Sequence, residues 1–237
     1  LILIYGLIGF KIGGLKLSLT IVVSFLFITF TGVLPQALLS IYLCGIAVII
    51  SFILGSSLGI WAAHNDKVSA FMRPINDTMQ TMPSFVILIP FVMFFGIGEF
   101  TALLAIIAYA FVPAMRYTEH GLRNLPETVI EAARMIGCSQ TQLLWKVKIP
   151  LAIPVIMLGL NQTIMFGLAM LVIAALVGTT GLGQLIYIGL SKADFGTGMI
   201  SGVSIALIAI IFDRTTQAWR IKLEKKSYGT DKTWSQV

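Results

Sequence analysis

Long apolar stretches, divided by short charged connectors, constrain the fold of this sequence more than any other feature. Apolar residues make up 57% of its 237 positions and charged residues only 11%, whereas roughly a quarter of a soluble domain is charged. A helix needs about 20 apolar residues to cross the hydrocarbon core of a bilayer. Several such stretches in one chain are typical of a polytopic helical membrane protein. The composition therefore predicts an all-α, polytopic transmembrane helical bundle and excludes an ordinary water-soluble fold.

We predict about six full membrane spans, preceded by the remnant of another. The third and fourth spans are short and are expected to extend into their flanks. Pro35 and Gly98 are expected to mark tight turns, since proline and glycine interrupt helices. Because the chain begins at Leu1 inside an apolar segment, the numbered sequence is expected to start part-way through a longer protein. The predicted remnant covers 1–10, and the spans cover 15–34, 36–63, 83–98, 100–115, 151–177 and 195–212.

The basic residues predict the orientation of these spans, because cytoplasmic connectors collect Lys and Arg. If the connector after the remnant is cytoplasmic, all of the 16 Lys and Arg residues except Lys192 fall on the cytoplasmic side. The formal charge of +6 is then mostly a topology signal, and no nucleic acid is expected as a partner. We predict a multi-pass protein surrounded by the lipid bilayer.

The chain is expected to divide into three regions. These are N-terminal transmembrane segments at 1–34, a transmembrane core at 35–220 and a cytoplasmic C-terminal tail at 221–237. Within the core, the connector at 116–150 is long, charged and cytoplasmic, and it has helical periodicity. It is the place where the chain is expected to present a structured surface to a soluble partner.

The sequence indicates that this chain does not power transport by itself. Within the six predicted spans, Lys16 at the cytoplasmic edge of the first is the one Asp, Glu, Lys or Arg residue, whereas the proton relays of secondary transporters usually need such residues deep inside the spans. Proton coupling is therefore not expected, while sodium coupling through backbone carbonyls stays open. The chain also lacks a G-x-x-x-x-G-K-[ST] phosphate loop, so the energy for any pumping enters through another polypeptide. We expect no enzymatic activity, no cofactor and no metal site in this chain.

A motif in the cytoplasmic connector carries the most specific functional signal. Glu131, Ala132 and Ala133 are followed by Gly137 and, at a distance, by Pro150. This resembles the EAA loop of ABC importer permeases of a bacterial-type cytoplasmic (inner) membrane, with the pattern E-A-A-x3-G-x9-I-x-L-P; the departures are Val147 for Ile and Ile149 for Leu. The resemblance implies the type I permease fold and a short coupling helix that docks on a separate ATP-binding subunit, which holds ATP and Mg. The alternative is that the three residues merely begin an amphipathic surface helix.

The residue types in this motif have a physical logic of their own. Ala132 and Ala133 are small and let another surface approach closely, and Gly137 permits a sharp change of chain direction. Pro150 is expected to begin the next span, where its missing N–H costs little. Glu131 is expected near the beginning of the helix, where the helix dipole favours a negative charge.

Further segments are similar to the glycine betaine and proline-betaine permease subfamily. That resemblance implies import of quaternary ammonium or related osmolytes: glycine betaine, proline betaine, choline, carnitine or trimethylamine N-oxide. It also implies a homodimer of two permeases, two copies of the ATP-binding subunit and an external substrate-binding protein. The segments are LGIW at 58–61, DTMQTMP at 77–83, FGIG at 95–98, GLNQT at 159–163, GLGQ at 181–184 and IFDR at 211–214.

Other functions stay open beside this one. One alternative keeps the mechanism but changes the cargo to an amino acid or another small solute. Two further alternatives are an ATP-independent channel or secondary carrier, and a noncatalytic membrane anchor whose connector only tethers a partner.

Two groups of polar residues are candidates for the substrate pathway. Gln80, Thr81 and Pro83 lie at the cytoplasmic entry of a short span, where a helix broken by proline frees carbonyls toward a cavity. Asn161 and Gln162 place polar groups within the next-to-last span, and Met165 offers soft apolar lining for a methylated cation. The alternative is that the amides are interhelical hydrogen-bond partners and the methionine is packing.

The sequence gives weaker indications elsewhere. Trp61 and Trp219 fall at the cytoplasmic ends of spans and are expected to anchor the protein in the interface. Trp145 is expected to pack beneath the coupling connector. The glycine-rich loop at 178–196 is expected to form a flexible outer gate or to contact the external binding protein.

Overall fold

The computed structural model describes the backbone of residues 2–228 and the side chains of residues 9–223. The first residue and residues 229–237 of the predicted tail lie outside this description, as do the side chains of most of the predicted remnant. Every regular element in the described part is helical. These elements are α1 (Ile2–Phe30), α2 (Leu34–His64), α3 (Asp66–Thr81), α4 (Ser84–Phe95), α5 (Glu99–Arg123), α6 (Glu127–Met135), α7 (Gln140–Gln142), a π-helical turn (Leu143–Lys148), α8 (Ile149–Ala174), a 3-10 turn (Ala175–Val177), α9 (Leu182–Ser191) and α10 (Phe195–Tyr228).

Five helical segments of the described chain are long and apolar enough to cross a membrane. They correspond to predicted spans one, two, four, five and six. Their bounds are Gly9–Phe30, Leu34–His64, Glu99–Arg123, Gln140–Val177 and Phe195–Leu223.

The predicted third span is a bent pair of helices instead of one straight helix. α3 and α4 meet at an angle of 102°, and Pro83 lies at the junction, where it removes a backbone donor.

α2 and α5 pack in parallel, so the chain must cross the membrane once between them. Ser51 Oγ lies 3.3 Å from the carbonyl oxygen of Ile107, and further along both helices Arg123 Nη2 donates to the carbonyl of Ala62 at 2.7 Å. The 12 residues of α4 are thus the return crossing.

The remnant and the first predicted span form one helical element with a reversal inside it. Gly14 has φ +75° and ψ −164°, a conformation that glycine adopts readily. The two arms lie side by side, since a Cβ atom built on Gly9 would be 3.4 Å from the Cα of Ser18. The prediction that the remnant ends at residue 10 is therefore wrong, because helical backbone continues to the reversal.

The turn after α1 is made by Gly32 and not by Pro35. Gly32 has φ +76°, and α1 has already ended at Phe30. Pro35 lies in the first turn of α2, where a missing N–H leaves no internal hydrogen bond unmade. The tight turn predicted at Pro35 is thus displaced toward the N-terminus.

The cytoplasmic connector is shorter than predicted. α5 continues to Arg123, so Arg116 and the seven residues after it belong to a membrane helix and not to the connector. The connector begins at Asn124, and its predicted start at residue 116 is wrong. The fourth span accordingly extends well past its predicted end at residue 115.

The outer loop predicted at 178–196 is also partly helical. α9 (Leu182–Ser191) lies inside it, and its first backbone N–H, that of Leu182, donates to Ser40 Oγ of α2 at 2.9 Å. Gly189 approaches α10 so closely that a Cβ there would lie 2.6 Å from the Cα of Gly198. The segment is therefore a packed hairpin of α9 and α10, and not a long flexible loop.

The centre of the bundle is formed by α2, α5 and α8, packed through small residues. A Cβ on Gly55 would lie 2.5 Å from the carbonyl oxygen of Phe111, and one on Gly59 would lie 2.6 Å from that of Met115. Membrane helices usually associate by close backbone approach through small residues. Lipid tails are as apolar as the side chains, so the hydrophobic effect does little to bring the helices together. α10 packs on α8 and α9, and α1 packs on α10.

Candidate coupling segment and transport pathway

The predicted coupling motif lies on a short helix outside the membrane core. α6 runs from Glu127 to Met135, and Pro126 precedes it. Glu127 occupies the first turn, while Glu131 lies in the middle of the helix. The expectation that Glu131 begins the helix is therefore wrong, and Glu127 is the residue that the helix dipole favours.

The two alanines of the motif have different surroundings. Ala133 is buried, whereas Glu131 and Ala132 are exposed. α6 packs against the π-helical turn, so Ala133 belongs to the inner face of α6 and Ala132 to its outer face. Only the outer face is free to contact another protein.

Two large apolar residues at the end of α6 extend this outer face. Met135 is 89% exposed and Ile136 is 85% exposed, although both lie in a charged connector where solvent is expected. Exposed apolar side chains next to one another mark an interaction site more often than exposed polar ones do. They are not part of the EAA pattern; the sequence signal for them is their apolar character directly before Gly137.

Gly137 ends α6 with a left-handed residue. Its φ is +86°, its N–H donates to the carbonyl of Arg134 at 2.9 Å, and the N–H of Cys138 donates to that of Ala133 at 3.2 Å. These two bonds form a Schellman motif, which satisfies the last carbonyls of a helix and reverses the chain. The change of direction predicted at Gly137 is confirmed.

After Gly137 the chain enters one continuous helical run that leads into the membrane. Ser139 caps it, accepting from the N–H of Gln142 at 3.3 Å while the Gln142 side chain accepts from the N–H of Ser139 at 3.0 Å. The run extends over Gln140–Val177. Pro150 lies in the first turn of α8, as predicted, although the continuous helical run already begins at Gln140. The preceding π-helical turn, Leu143–Lys148, is the local adjustment with which helices accommodate an interior irregularity.

Trp145 lies on the π-helical turn but does not pack beneath the connector as expected. It is 62% exposed, whereas Leu143 in the same turn is fully buried. The ring of Trp145 is therefore available at the surface, beside the exposed face of α6.

The first group of candidate pathway residues lies where α3 meets α5. Arg116 Nη1 donates to Gln80 Oε1 and lies 3.1 Å from Asp77 Oδ1. Thr81 Oγ1 donates to the carbonyl of Asp77 at 2.9 Å, and Pro83 forms the bend to α4. Gln80 and Thr81 are thus exposed residues at the end of α3; Gln80 is held by Arg116 of α5, and Thr81 by carbonyls of its own helix.

A cavity of about 360 Å³ opens beside them. Two of its three arginines are offset by carboxylates, since Arg116 pairs with Asp77 and Arg123 pairs with Asp66 and Glu119. The cavity is therefore polar without a strong net charge. It is lined by Arg73, Asn76, Asp77, Arg116, Glu119, His120, Arg123 and Asn124.

Glu119 is a buried carboxylate that the sequence analysis placed in the connector. It accepts from Ser69 Oγ at 2.5 Å and from Arg123 Nε at 3.0 Å, and it is only 9% exposed. It thereby joins α3 to the end of α5. The predicted absence of charge from the spans is wrong here, because α5 is longer than predicted and carries Glu119 into the bundle.

The second group of candidate pathway residues lies on α8, and Asn161 has partners on α10. Asn161 Nδ2 donates to Asp213 Oδ1 at 2.9 Å, and Thr216 Oγ1 donates to Asn161 Oδ1 at 2.7 Å. This is the interhelical hydrogen bonding that the sequence left open as the alternative. Gln162 and Met165 are half-buried on the same helix.

The structure does not bring the two groups together. On α8, the face that carries Gly159 contacts Tyr117 of α5, since a Cβ on Gly159 would lie 2.8 Å from the Cβ of Tyr117. Asn161 is two residues further along and bonds to α10 instead. No described hydrogen bond or ion pair joins the region of Gln80 to that of Asn161.

Among the described residues, no group of three or more His, Cys, Asp or Glu side chains could hold a metal ion. His64 Nδ1 lies 2.8 Å from the carbonyl oxygen of Ile60, and His120 Nδ1 lies 2.9 Å from Asn124 Nδ2. Both histidines thus bond locally on their own helices.

Comparison with protein families gives a match over the core of the chain. Residues 55–218 match the family described as binding-protein-dependent transport system inner membrane component. The match includes α6, the π-helical turn and Asn161.

Three curated relatives show how far the similarity extends. The chain is 40% identical over 92% of its length to the glycine betaine/proline betaine transport system permease protein ProW of Escherichia coli, and covers 61% of that protein. It is 42% identical over 95% of its length to the trimethylamine N-oxide transport system permease protein TmoV of Pelagibacter ubique, covering 31% of it. It is 38% identical over 97% of its length to the glycine betaine transport system permease protein OpuAB of Bacillus subtilis, covering 80% of it. The chain thus spans less than two thirds of the length of ProW and TmoV.

Solved structures share the fold. An inward facing conformation of the MetNI methionine ABC transporter superimposes with a TM-score of 0.70 at 18% identity, covering 81% of this chain and 95% of that one. An amino acid ABC transporter with histidines gives 0.68 at 17% identity, covering 83% and 98%. The predicted all-α fold of a type I ABC importer permease is confirmed.

Proposed function

Because this chain belongs to the family of binding-protein-dependent transport system inner membrane components, we propose that it is the permease subunit of an ATP-driven importer. The importer would move solute across a bacterial-type inner membrane, and this chain would form its multi-pass transmembrane part. It would contribute no catalytic residue and no cofactor. ATP and Mg would be bound and used by a separate subunit.

The observation that carries this proposal is the construction of the coupling segment. α6 exposes Glu131, Ala132, Met135 and Ile136 on one face and packs by its other face on the π-helical turn. That turn continues without a break into α8. A force applied to α6 by a soluble partner would therefore reach the membrane core through a single helical rod.

The cargo that we propose is a quaternary ammonium or related osmolyte, such as glycine betaine, proline betaine, choline, carnitine or trimethylamine N-oxide. It is supported by relatives at 38–42% identity whose names include glycine betaine, proline betaine and trimethylamine N-oxide. The alternative cargo is an amino acid or another small solute. The methionine and amino acid transporters of the same fold are below 20% identity and support the fold alone.

The assembly that we propose contains two copies of this chain, two ATP-binding subunits and one external substrate-binding protein. The exposed face of α6 would contact the ATP-binding subunit. The α9–α10 hairpin, on the opposite side by the charge pattern of the connectors, would face the external binding protein.

The mechanism is alternating access. ATP binding closes the two partner subunits and displaces the α6 helices, and the α8 rods tilt the bundle so that the pathway opens toward the external protein. Hydrolysis returns the bundle to the inward-facing state. Gln80, Thr81 and Pro83 would lie at the cytoplasmic mouth of the pathway, and Gln162 and Met165 would line it further out.

An ATP-independent channel or secondary carrier is the alternative of another class. Glu119 and Asp213 are carboxylates in or beside the spans, where they often mark ion pathways. Glu119, however, is held by Ser69 and Arg123. Asp213 is held by neighbouring amides. Both arrangements favour a structural role over a place in an ion pathway.

The cargo is tested by ligand binding to the cognate external binding protein. Calorimetry with the betaines, choline, carnitine, trimethylamine N-oxide and a panel of amino acids would rank the candidates. We expect a quaternary ammonium compound or trimethylamine N-oxide to bind at least about 100-fold more tightly than any amino acid, a difference of about 2.7 kcal/mol. Tight binding of an uncharged sugar or of an amino acid would end the osmolyte assignment.

A further inference from the structure

A compact polar network joins α8 to α10 on the side of the bundle away from α5. Asn161 Nδ2 donates to Asp213 Oδ1 at 2.9 Å, and Gln217 Nε2 donates to Asp213 Oδ1 and Oδ2 at 2.9 and 2.8 Å. Thr216 Oγ1 donates to Asn161 Oδ1 at 2.7 Å. The carboxylate therefore accepts from two neutral amides, and the Asn161 side chain is used as donor and acceptor at once.

The network lies at the cytoplasmic border of the apolar part of α10. Asp213 directly follows the apolar run that ends at Phe212, and Arg214 and Arg220 follow it. Along α8, Asn161 is 21 positions after Gln140, so it lies about 30 Å from the beginning of the helical run at a rise of ~1.5 Å per residue. The network thus hydrogen-bonds α10 to α8, the helix that follows the coupling segment in the chain.

Apolar side chains form another part of the contact between these helices, and such packing does not by itself fix their register. Ile164 and Leu168 of α8 belong to the same buried cluster as Ile205 and Ile208 of α10. Apolar packing is non-directional, and inside a membrane it has no strong hydrophobic drive. Hydrogen bonds with defined directions are therefore what holds α10 at one position along α8.

We propose that Asn161 and Asp213 are positioning residues that make α10 move together with α8 when the coupling segment is displaced. The proposal rests on the proposed function, since it needs a force that enters through α6. The role belongs to hydrogen bonding and not to the negative charge as such. α10 would then carry the displacement to the α9–α10 hairpin on the outer side.

The hydrogen-bonding role and an ion-pathway role for Asp213 predict different results for the same substitutions. Asp213→Asn removes the charge but leaves an oxygen for Asn161 Nδ2 and for Gln217 Nε2. Asp213→Leu has a similar size and removes both acceptors. Asn161→Asp places two carboxylates against each other, and the double variant Asn161→Asp with Asp213→Asn restores one donor facing one acceptor with the polarity reversed.

The test is ATP-driven uptake in proteoliposomes that contain the complete importer, with ATP hydrolysis measured in the same vesicles. We expect Asp213→Asn to stay within about threefold of the unaltered importer in solute moved per ATP. We expect Asp213→Leu and Asn161→Asp each to lower that ratio about tenfold or more, since a hydrogen bond to a charged group is lost. ATP hydrolysis should persist in both, and the double variant should recover most of the loss.

A second measurement applies even to variants that no longer transport. Spin labels on exposed positions of α8 and α10, such as Ala169 and Ile210, report the distance between the helices in the purified complex. We expect one narrow distance distribution for the unaltered network and for Asp213→Asn, and a broad or shifted one for Asp213→Leu.

Two results would overturn the proposal. One is normal coupling and a narrow distance distribution in Asp213→Leu. The other is loss of uptake in Asp213→Asn equal to that in Asp213→Leu, which would assign the carboxylate to an ion pathway. If the unaltered importer itself shows no ATP-dependent uptake, the proposed function fails instead; normal uptake by the unaltered importer with no effect of Asp213→Leu defeats the positioning role alone.

Discussion

At the scale of single residues, Gly137 has a left-handed backbone conformation that β-branched residues such as valine adopt only with strain. Its φ of +86° lies in the left-handed region, which costs other residues roughly 1–2 kcal/mol. Space is not the limit, since no atom lies within 4 Å of a Cβ built there. Any effect of substitution is therefore conformational.

We predict that Gly137→Val weakens the coupling of ATP hydrolysis to uptake, because it opposes the chain reversal between α6 and the rod of α8. Gly137→Asn is the matched control, since asparagine tolerates the left-handed conformation at the end of a helix. Solute moved per ATP in proteoliposomes should fall several-fold for valine and little for asparagine. Equal, unaltered coupling in both variants would mean that the reversal at Gly137 has no mechanical role.

Asp194, on the outer side of the bundle, is an ionisable residue whose carboxylate caps a helix. Its Oδ1 accepts from the N–H of Thr197 at 3.2 Å and its Oδ2 accepts from Thr197 Oγ1 at 2.6 Å, so it caps the beginning of α10. The hydrogen bond from the Thr197 side chain, followed by that from the Thr197 N–H, lowers the pKa of this carboxyl below its usual range. The sequence motif D-x-x-T was not selected beforehand, although an Asp directly before a helix is a common cap.

The sign of this pKa shift predicts a pH dependence of stability. Because the pKa is lower in the folded state, the ionised cap stabilises the protein above the pKa of the unfolded state, and this stabilisation is lost as the pH falls through the folded pKa. We predict that Asp194→Ala lowers the melting temperature in detergent at neutral pH, and that the difference shrinks in acid. Asp194→Asn keeps an acceptor and should vary less with pH. If the melting temperatures of the unaltered protein and Asp194→Ala differ by the same amount down to strongly acidic pH, the proposed role of the ionised cap is wrong.

At the scale of helices, the α2–α5 contact depends on two glycines one turn apart. Gly55 and Gly59 allow the backbones of α2 and α5 to touch, and a Cβ at either position would meet a backbone oxygen at 2.5 or 2.6 Å. A backbone atom cannot move aside as a flexible side chain can. The helices would have to separate, with a cost of about 1–3 kcal/mol for overpacking.

We predict that Gly59→Ala lowers the thermal stability of the purified protein, whereas Gly45→Ala does not. Gly45 lies on the same helix, and a Cβ there would meet no atom within 4 Å. Alanine also favours helix over glycine by up to about 1 kcal/mol, so Gly45→Ala should be neutral or stabilising. The close-packed contact would be refuted by equal melting temperatures for the two variants.

The end of α6 makes a second prediction at this scale. Ile136 is 85% exposed, and a charged residue there would be buried unpaired if the ATP-binding subunit covers it. We predict that Ile136→Asp leaves the permease folded but reduces the amount of ATP-binding subunit that copurifies with it. Leu190→Asp is the matched control, because Leu190 is 76% exposed on the outer hairpin. If equal amounts of the ATP-binding subunit copurify with both variants, Ile136 is not part of the docking surface.

The all-helical fold and the position of the apolar spans could be predicted from composition and hydropathy. The ends of the helices could not. Hydropathy alone predicts apolar runs, so α5 was ended at residue 115 even though its polar continuation to Arg123 packs through Glu119 and Ser69. Pro83 predicts a break between α3 and α4, but the 102° angle of the bend does not follow from a proline alone. The reversal at Gly14 lies within the connector predicted between the remnant and the first span, and only the helix ends on either side of it differ from the prediction. Tertiary contacts decided each of these, and a single sequence does not contain them.

At the scale of the whole molecule, the proposed coupling segment is local in the sequence, whereas the proposed pathway is not. The coupling motif is local, so Gly137 and the alanines were found from their spacing. The pathway depends on which faces of distant helices meet, and Asn161 and Gln80 turned out to lie in different parts of the bundle. Periodicity gives the angular spacing of residues on a helix, but it does not tell which neighbour each face meets.

The central claim is that force enters this chain from a separate ATP-driven subunit through α6. It is tested most directly by uptake of radiolabelled glycine betaine into proteoliposomes that contain either this permease alone or the complete importer, with and without ATP. The account predicts uphill accumulation only for the complete importer with ATP. Uphill accumulation by the permease alone, driven by a proton or sodium gradient, would contradict it.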